Sequence, residues 1–181
     1  MYPRRETVWQ ARVQRQRSPR TRSPPTGRFF RNQTYHFETL RNAGYILSNC
    51  ADLGEIFETV KLISEGDAQS WYTAWEATAD CVLALAERTQ DRLSKGGACM
   101  RASTYQRTAE FLLPPDDPKR PGSFEKTGSC FFKGLDTLGV RYERISVPYG
   151  VGRLRALYFP ALQGEDTKLS GGSFRQTEMM K

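Results

Sequence analysis

Asp67-Ala68-Gln69-Ser70-Trp71-Tyr72-Thr73-Ala74-Trp75-Glu76-Ala77-Thr78-Ala79 opens the longest periodic run in the chain. Asp67 is a helix N-cap type, and Trp71, Trp75, Ala79, Val82 and Ala86 return to one face every three to four residues. Tyr72, Leu83 and Leu85 widen that face. The pattern predicts a helix over about 68–93, closed by Lys95-Gly96-Gly97. Before it, Asp52 caps a helix to Ser64 whose apolar stripe is Leu53, Ile56, Phe57, Val60 and Ile63. Gly66 suits the turn between the two. After it, Ala98, Ala102, Tyr105, Ala109 and Leu112 predict a third helix over about 98–113. Small residues on its face would let a neighbour approach closely. Pro114-Pro115-Asp116-Asp117-Pro118 stops it. A fourth helix is expected over about 121–138, with Phe124, Phe131, Leu135 and Leu138 inward and Gly139 at its end.

The period then changes from helical to alternating. Arg141-Tyr142-Glu143-Arg144-Ile145-Ser146-Val147 and Arg153-Leu154-Arg155-Ala156-Leu157-Tyr158-Phe159 flank Pro148-Tyr149-Gly150-Val151-Gly152. Two alternating runs joined by a short glycine turn read as a β-hairpin. The expected fold is mainly α: a helical bundle over 29–139, then a hairpin within 140–181 that begins a sheet.

The 181 residues suit one domain, or one domain and a piece of another. Nine arginines against Glu6 give residues 1–31 a charge of +8, which leaves −1 of the +7 total for the remainder. The basic character therefore belongs to a tail, and the pI does not argue for nucleic-acid binding by the body. Residues 1–28 are rich in Arg, Gln, Ser and Pro and too poor in apolar side chains to offset ordering entropy. A solvated extension, an organelle-targeting segment and a weak phosphate-binding arm all fit this composition. Cys50, Cys81, Cys99 and Cys130 form no close pair, and His36 is the one histidine, so no metal site is expected. No apolar run reaches the ~20 residues of a membrane span. The expectation is a cytoplasmic protein without membrane contact.

Four ordered motifs carry a family resemblance. They are Tyr35-His36-Phe37-Glu38-Thr39-Leu40-Arg41, the Asp67–Trp75 run, Arg101-Ala102-Ser103-Thr104-Tyr105-Gln106-Arg107-Thr108-Ala109-Glu110-Phe111, and Val147-Pro148-Tyr149 followed by Leu154–Pro160. Together they resemble the N-terminal region of α/β-hydrolases of the fungal secondary-metabolite group, over about residues 29–162. The resemblance implies a helical cap preceding a catalytic domain with a Ser-His-Asp triad. It implies a small organic substrate, often a polyketide product, no cofactor, and frequent dimerisation. Leu169-Ser170-Gly171-Gly172-Ser173-Phe174 is similar to the family's Gly-Gly oxyanion loop, which makes Gly171, Gly172 and Ser173 oxyanion-loop candidates. His36, Trp71 and Tyr105 are the substrate-pocket candidates of the cap.

No G-x-S-x-G elbow occurs in the 181 residues, and His36 precedes every other element, the wrong order for the triad base of this fold. No catalytic residue is assigned, and the expectation is a truncated, hydrolase-like chain with little or no turnover. A second expectation, from a different class, is a non-catalytic helical module that binds a protein partner. The plainer reading of His36 is a packed, hydrogen-bonded side chain, and of Trp71, Tyr72 and Trp75 a core cluster. Glu38 with Arg41, and Arg107 with Glu110, are spaced for ion pairs along a helix.

Overall fold

The computed structural model describes residues 28–160. The fold is mainly helical, with a two-stranded antiparallel sheet after the helices, as the change of period predicts. The chain divides into a helical unit, up to Val140, and a second unit from Arg141.

Helix α1 (Gln33–Gly44) starts at Asn32, whose side chain accepts from the N–H groups of Thr34 and Tyr35. No apolar stripe announces this helix, because its buried positions are Tyr35, Glu38, Thr39 and Asn42. A 3-10 turn (Tyr45–Ser48) leads to α2 (Leu53–Val60), capped by Asp52 as expected. The stripe read from sequence is only half used. Ile56 and Ile63 are buried, but Leu53 and Phe57 are each 44% exposed, and Thr59 is fully buried instead. Asp67 caps α3 (Ala68–Arg88) through the N–H of Gln69.

The next helix corrects the reading of Gly96-Gly97 as a stop. Helix α3 ends at Arg88, Asp91 caps a new helix, and α4 (Arg92–Glu110) runs straight through both glycines. Packing explains the reversal. A Cβ on Gly96 would lie 2.5 Å from Leu138 Cγ, and one on Gly97 would lie 2.6 Å from Asn49 Nδ2. Close approach outweighs the ~1 kcal/mol propensity cost of a helical glycine. Helix α5 (Arg120–Leu138) ends on Gly139 at φ +70°, as its sequence predicts. Its inward side is Ser123, Cys130, Gly134 and Leu135, and Phe124 is 66% exposed, not inward.

Helices α3, α4 and α5 form an up-down-up bundle. Trp71 bonds to Thr108 and Trp75 stacks on Tyr105, so α3 and α4 are antiparallel. Ser103 meets Thr127 and Gln106 meets Ser123, so α4 and α5 are antiparallel as well. The return brings α5 beside α3 in parallel. Lys119 reaches Gln69, Lys126 bonds Glu76 at 2.7 Å, and Lys133 bonds Glu87 at 3.1 Å. The core is aromatic and small-residue: Trp71, Trp75, Tyr105, Ile56, Ala86, Ala102 and Ala109 are all 0% exposed.

In the second unit, β1 (Glu143–Tyr149) pairs with β2 (Gly152–Tyr158) in the register Ile145↔Ala156, Val147↔Leu154 and Tyr149↔Gly152. Gly150 has φ +54° and Val151 does not share it, the pattern of a two-residue II′ turn with glycine first. Alternation puts Ile145, Val147, Leu154, Ala156 and Tyr158 on one face and Arg144, Arg153 and Arg155 on the other. Arg153 is anchored to Ser146 Oγ at 2.7 Å and to its carbonyl at 2.8 Å.

Candidate functional site

Two of the three pocket candidates lie in one aromatic column. Phe30, Tyr35, Trp71, Trp75 and Tyr105 follow one another at centroid distances of 5.6, 5.1, 5.7 and 5.5 Å, the Tyr35–Trp71 pair crossing edge-on at 82°. Trp71 and Tyr105 are enclosed, with no exposed surface. Trp71 Nε1 donates to the Thr108 carbonyl at 2.8 Å. Trp75 Nε1 has no partner among the described residues. His36 is half-buried and belongs to a different group. Its Nδ1 accepts from the Phe29 N–H at 3.3 Å, and the Phe29 ring lies 6.1 Å from it and 5.7 Å from Phe57. Phe29, His36 and Phe57 form an aromatic edge of the helical unit.

Tyr105 anchors a charge network that ties α2 to α4. Its hydroxyl donates to Glu55 Oε2 at 2.7 Å and accepts from the Asp52 N–H at 2.8 Å. Arg101 meets the same carboxylate with two nitrogens, at 3.0 and 3.1 Å. Burial, reinforced by the Glu55 charge, pushes the Tyr105 phenol far above its ordinary value, so it remains a neutral donor. A second network joins α1 to α4. Thr108 Oγ1 donates to Asn42 Oδ1 at 2.8 Å, and Asn42 Nδ2 donates to the Glu38 carbonyl at 2.9 Å. Sequence reading missed both networks, since their partners stand 46 to 66 residues apart. The one local signal was the spacing of Arg101 and Tyr105 on a single helix face.

Of the two ion pairs expected from spacing, Arg41–Glu38 forms at 3.2 Å. Arg107 makes no ion pair among the described residues and lies over the Tyr45 ring, 5.2 Å from its centroid. Glu110 instead lines an open cleft with Pro115, Asp116, Asp117, Pro118 and Phe124.

The chemistry available to these residues is packing and binding. His36 Nδ1 is engaged by a backbone N–H, and no serine or cysteine is hydrogen-bonded to the ring among the described residues. Burial pushes the Cys99 and Cys130 thiols up, away from the reactive thiolate. Among the described residues no group of three or more His, Cys, Asp or Glu is placed to hold a metal ion, and no helix is long and apolar enough to cross a membrane. Gly171, Gly172 and Ser173 lie outside the described residues, as do positions 1–27 of the basic tail.

This is a helical unit whose polar side chains hold helices together, followed by a hairpin. No protein-family model matches the chain. It is 34% identical over 144 residues to Hydrolase acrC of Aspergillus aculeatus, covering 74% of this chain and 34% of that protein. It is 34% identical over 139 residues to 20-hydroxy-prefusarin hydrolase FUS2 of Gibberella moniliformis, covering 73% and 33%. It is 30% identical over 146 residues to Alpha/beta hydrolase ucsC of an Acremonium species, covering 73% and 28%. Over about three quarters of its length the chain is similar to the α/β-hydrolase-like group that these fungal hydrolases represent. It spans about a third of the length of the curated relatives it matches.

Proposed function

We propose that the helical unit is the substrate-facing cap of a hydrolase acting on a small organic molecule of the polyketide type, the class suggested by the prefusarin hydrolase. The observation that carries this reading is the 34% identity to that enzyme, over a span long enough to take in most of the helical unit and hairpin. In this reading His36, with Phe29 and Phe57, meets the substrate, and Trp71 and Tyr105 shape the pocket by fixing α1 and α2 from behind. Gly171, Gly172 and Ser173 serve as the oxyanion loop. The 181 residues by themselves turn over little or nothing, because they hold no elbow serine and no histidine besides His36. Loss of a nucleophile or base removes several orders of magnitude of rate. The working location is the cytoplasm, and the chain associates as a homodimer through exposed apolar side chains such as Phe37, Leu47 and Leu93.

The test is incubation of the purified chain with a fluorophosphonate probe and a chromogenic ester. No labelling and no turnover are expected. Covalent labelling of Ser173, or saturable hydrolysis abolished by Ser173→Ala, would overturn the inactivity claim. Size-exclusion chromatography reads the association, and a monomer at all concentrations would contradict it.

A further inference from the structure

The end of α1 and the end of α4 bring two guanidinium groups beside two aromatic rings, Tyr45 and Phe111. Arg41 stands in the last turn of α1 and Arg107 in the last turn of α4. Tyr45 follows α1 directly, between these two helix ends. Arg107 stacks over the Tyr45 ring at 5.2 Å, and Arg41 stands 5.8 Å from the centroid of Phe111, which is 44% exposed. One acid serves the pair. Glu38 meets Arg41 with both oxygens at 3.2 Å, and Arg107 has no carboxylate within 4.0 Å among the described residues. Two cations against one carboxylate leave one uncompensated positive charge between two aromatic rings.

We propose that Arg107, Tyr45 and Phe111, with Arg41 beside them, form a binding site for a small monoanionic carboxylate that carries an apolar or aromatic body. The guanidinium fork of Arg107 matches a carboxylate with two parallel hydrogen bonds. The phenol hydroxyl of Tyr45 adds a third donor. Phe111 supplies the apolar wall for the rest of the ligand. The net charge selects valence: a single negative charge completes the cluster, and a dianion would place excess charge beside Glu38. Arg41 and Arg107 together hold the Tyr45 phenol below its ordinary value, which accords with the positive field of the site. The two helix C-termini favour the two cations placed in their last turns. The inference does not depend on the hydrolase reading and is tested without any activity.

The experiment is calorimetric titration of the full chain with benzoate at fixed ionic strength, with inorganic phosphate and chloride as comparators. Saturable benzoate binding is expected, stronger than that of either comparator. Arg107→Gln should weaken it about tenfold or more, the usual effect of removing a charge-assisted bidentate partner. Arg88→Gln, at a distant helix end, should leave it unchanged. Glu38→Gln removes the one competing carboxylate and should tighten benzoate binding several-fold, an effect that damage to the fold would not produce. Circular dichroism confirms that each variant is folded. No saturable benzoate binding, equal binding in a folded Arg107→Gln variant, or a preference for phosphate would overturn the proposal.

Discussion

The helical unit and the hairpin solve the problem of burial in opposite ways. In the helical unit nearly every buried polar side chain finds a partner on another helix or on its own backbone: Thr59 with Thr78, Gln106 with Ser123, Thr108 with Asn42. The hairpin has good register and a suitable turn, yet every residue of β1 is exposed. Two strands alone are marginal in water, because one sheet face without a covering layer gains little hydrophobic stabilisation. The helical unit therefore contains its own reasons to fold. The apolar face of the hairpin, with Ile145 at 41% and Leu154 at 54% exposure, does not.

The comparison can be broken most sharply by equal truncations on each side. Trp75→Ala deletes a fully buried indole and should cost about 3–5 kcal/mol, read as a large fall in Tm of the helical transition. Leu154→Ala, in the hairpin, should stay within about 0.5 kcal/mol in the same experiment. Comparable losses at both positions would mean that the hairpin shares the core. Next in size, Tyr105→Phe leaves the Asp52 N–H and the Glu55 carboxylate without their shared hydroxyl, at a cost of about 1–3 kcal/mol by urea unfolding. Gly139→Ala forces a side chain into the left-handed region and toward Arg92, so a loss of about 1–2 kcal/mol is expected. Gly150→Ala makes the same backbone demand in the hairpin turn and should leave the helical transition unmoved.

The smallest effect belongs to the α3–α5 surface. Burial pushes the Glu76 carboxyl up, but hydrogen bonds from Lys126 and Tyr72 bring it below its ordinary value of 4.5. A folded value below the unfolded one means the pair stabilises fully above pH 4.5 and loses that contribution as the pH falls through the folded value. Lys126 is half-exposed, so Lys126→Met should cost only about 0.2–1 kcal/mol at neutral pH. The cost should disappear in acid unfolding series. A difference that persists at low pH would assign the effect to packing.

Local chemistry made part of this legible. Asp52, Asp67 and Gly139 announced their helix ends, and Gly150 announced its turn, because caps and turns are decided within a few residues. Two of the misreadings share one cause. Gly96-Gly97 looked like a stop and Phe124 like a core anchor, yet the α4–α5 seam is built from small and polar groups. Gly96 admits Leu138, Gly134 admits Met100, and Ser123 meets Gln106. Tertiary approach overrode propensity there, and no window of sequence contains both partners. Helix α1 was silent for the related reason that its inward residues are Glu38, Thr39 and Asn42. At the candidate site, the enclosure of Trp71 followed from periodicity. The Glu55–Arg101–Tyr105 network and the meeting of Arg41, Tyr45 and Arg107 did not, since each joins separate helices.

The helical unit carries a buried core of its own, and the described hairpin buries little of its apolar face. Hydrogen exchange on the whole chain tests this contrast most directly. Amides in α3, α4 and α5 should exchange only through global opening, and the paired amides of β1 and β2 should exchange through local opening with far lower protection. Hairpin amides protected to the same free energy as Trp75 and Tyr105 would contradict the account.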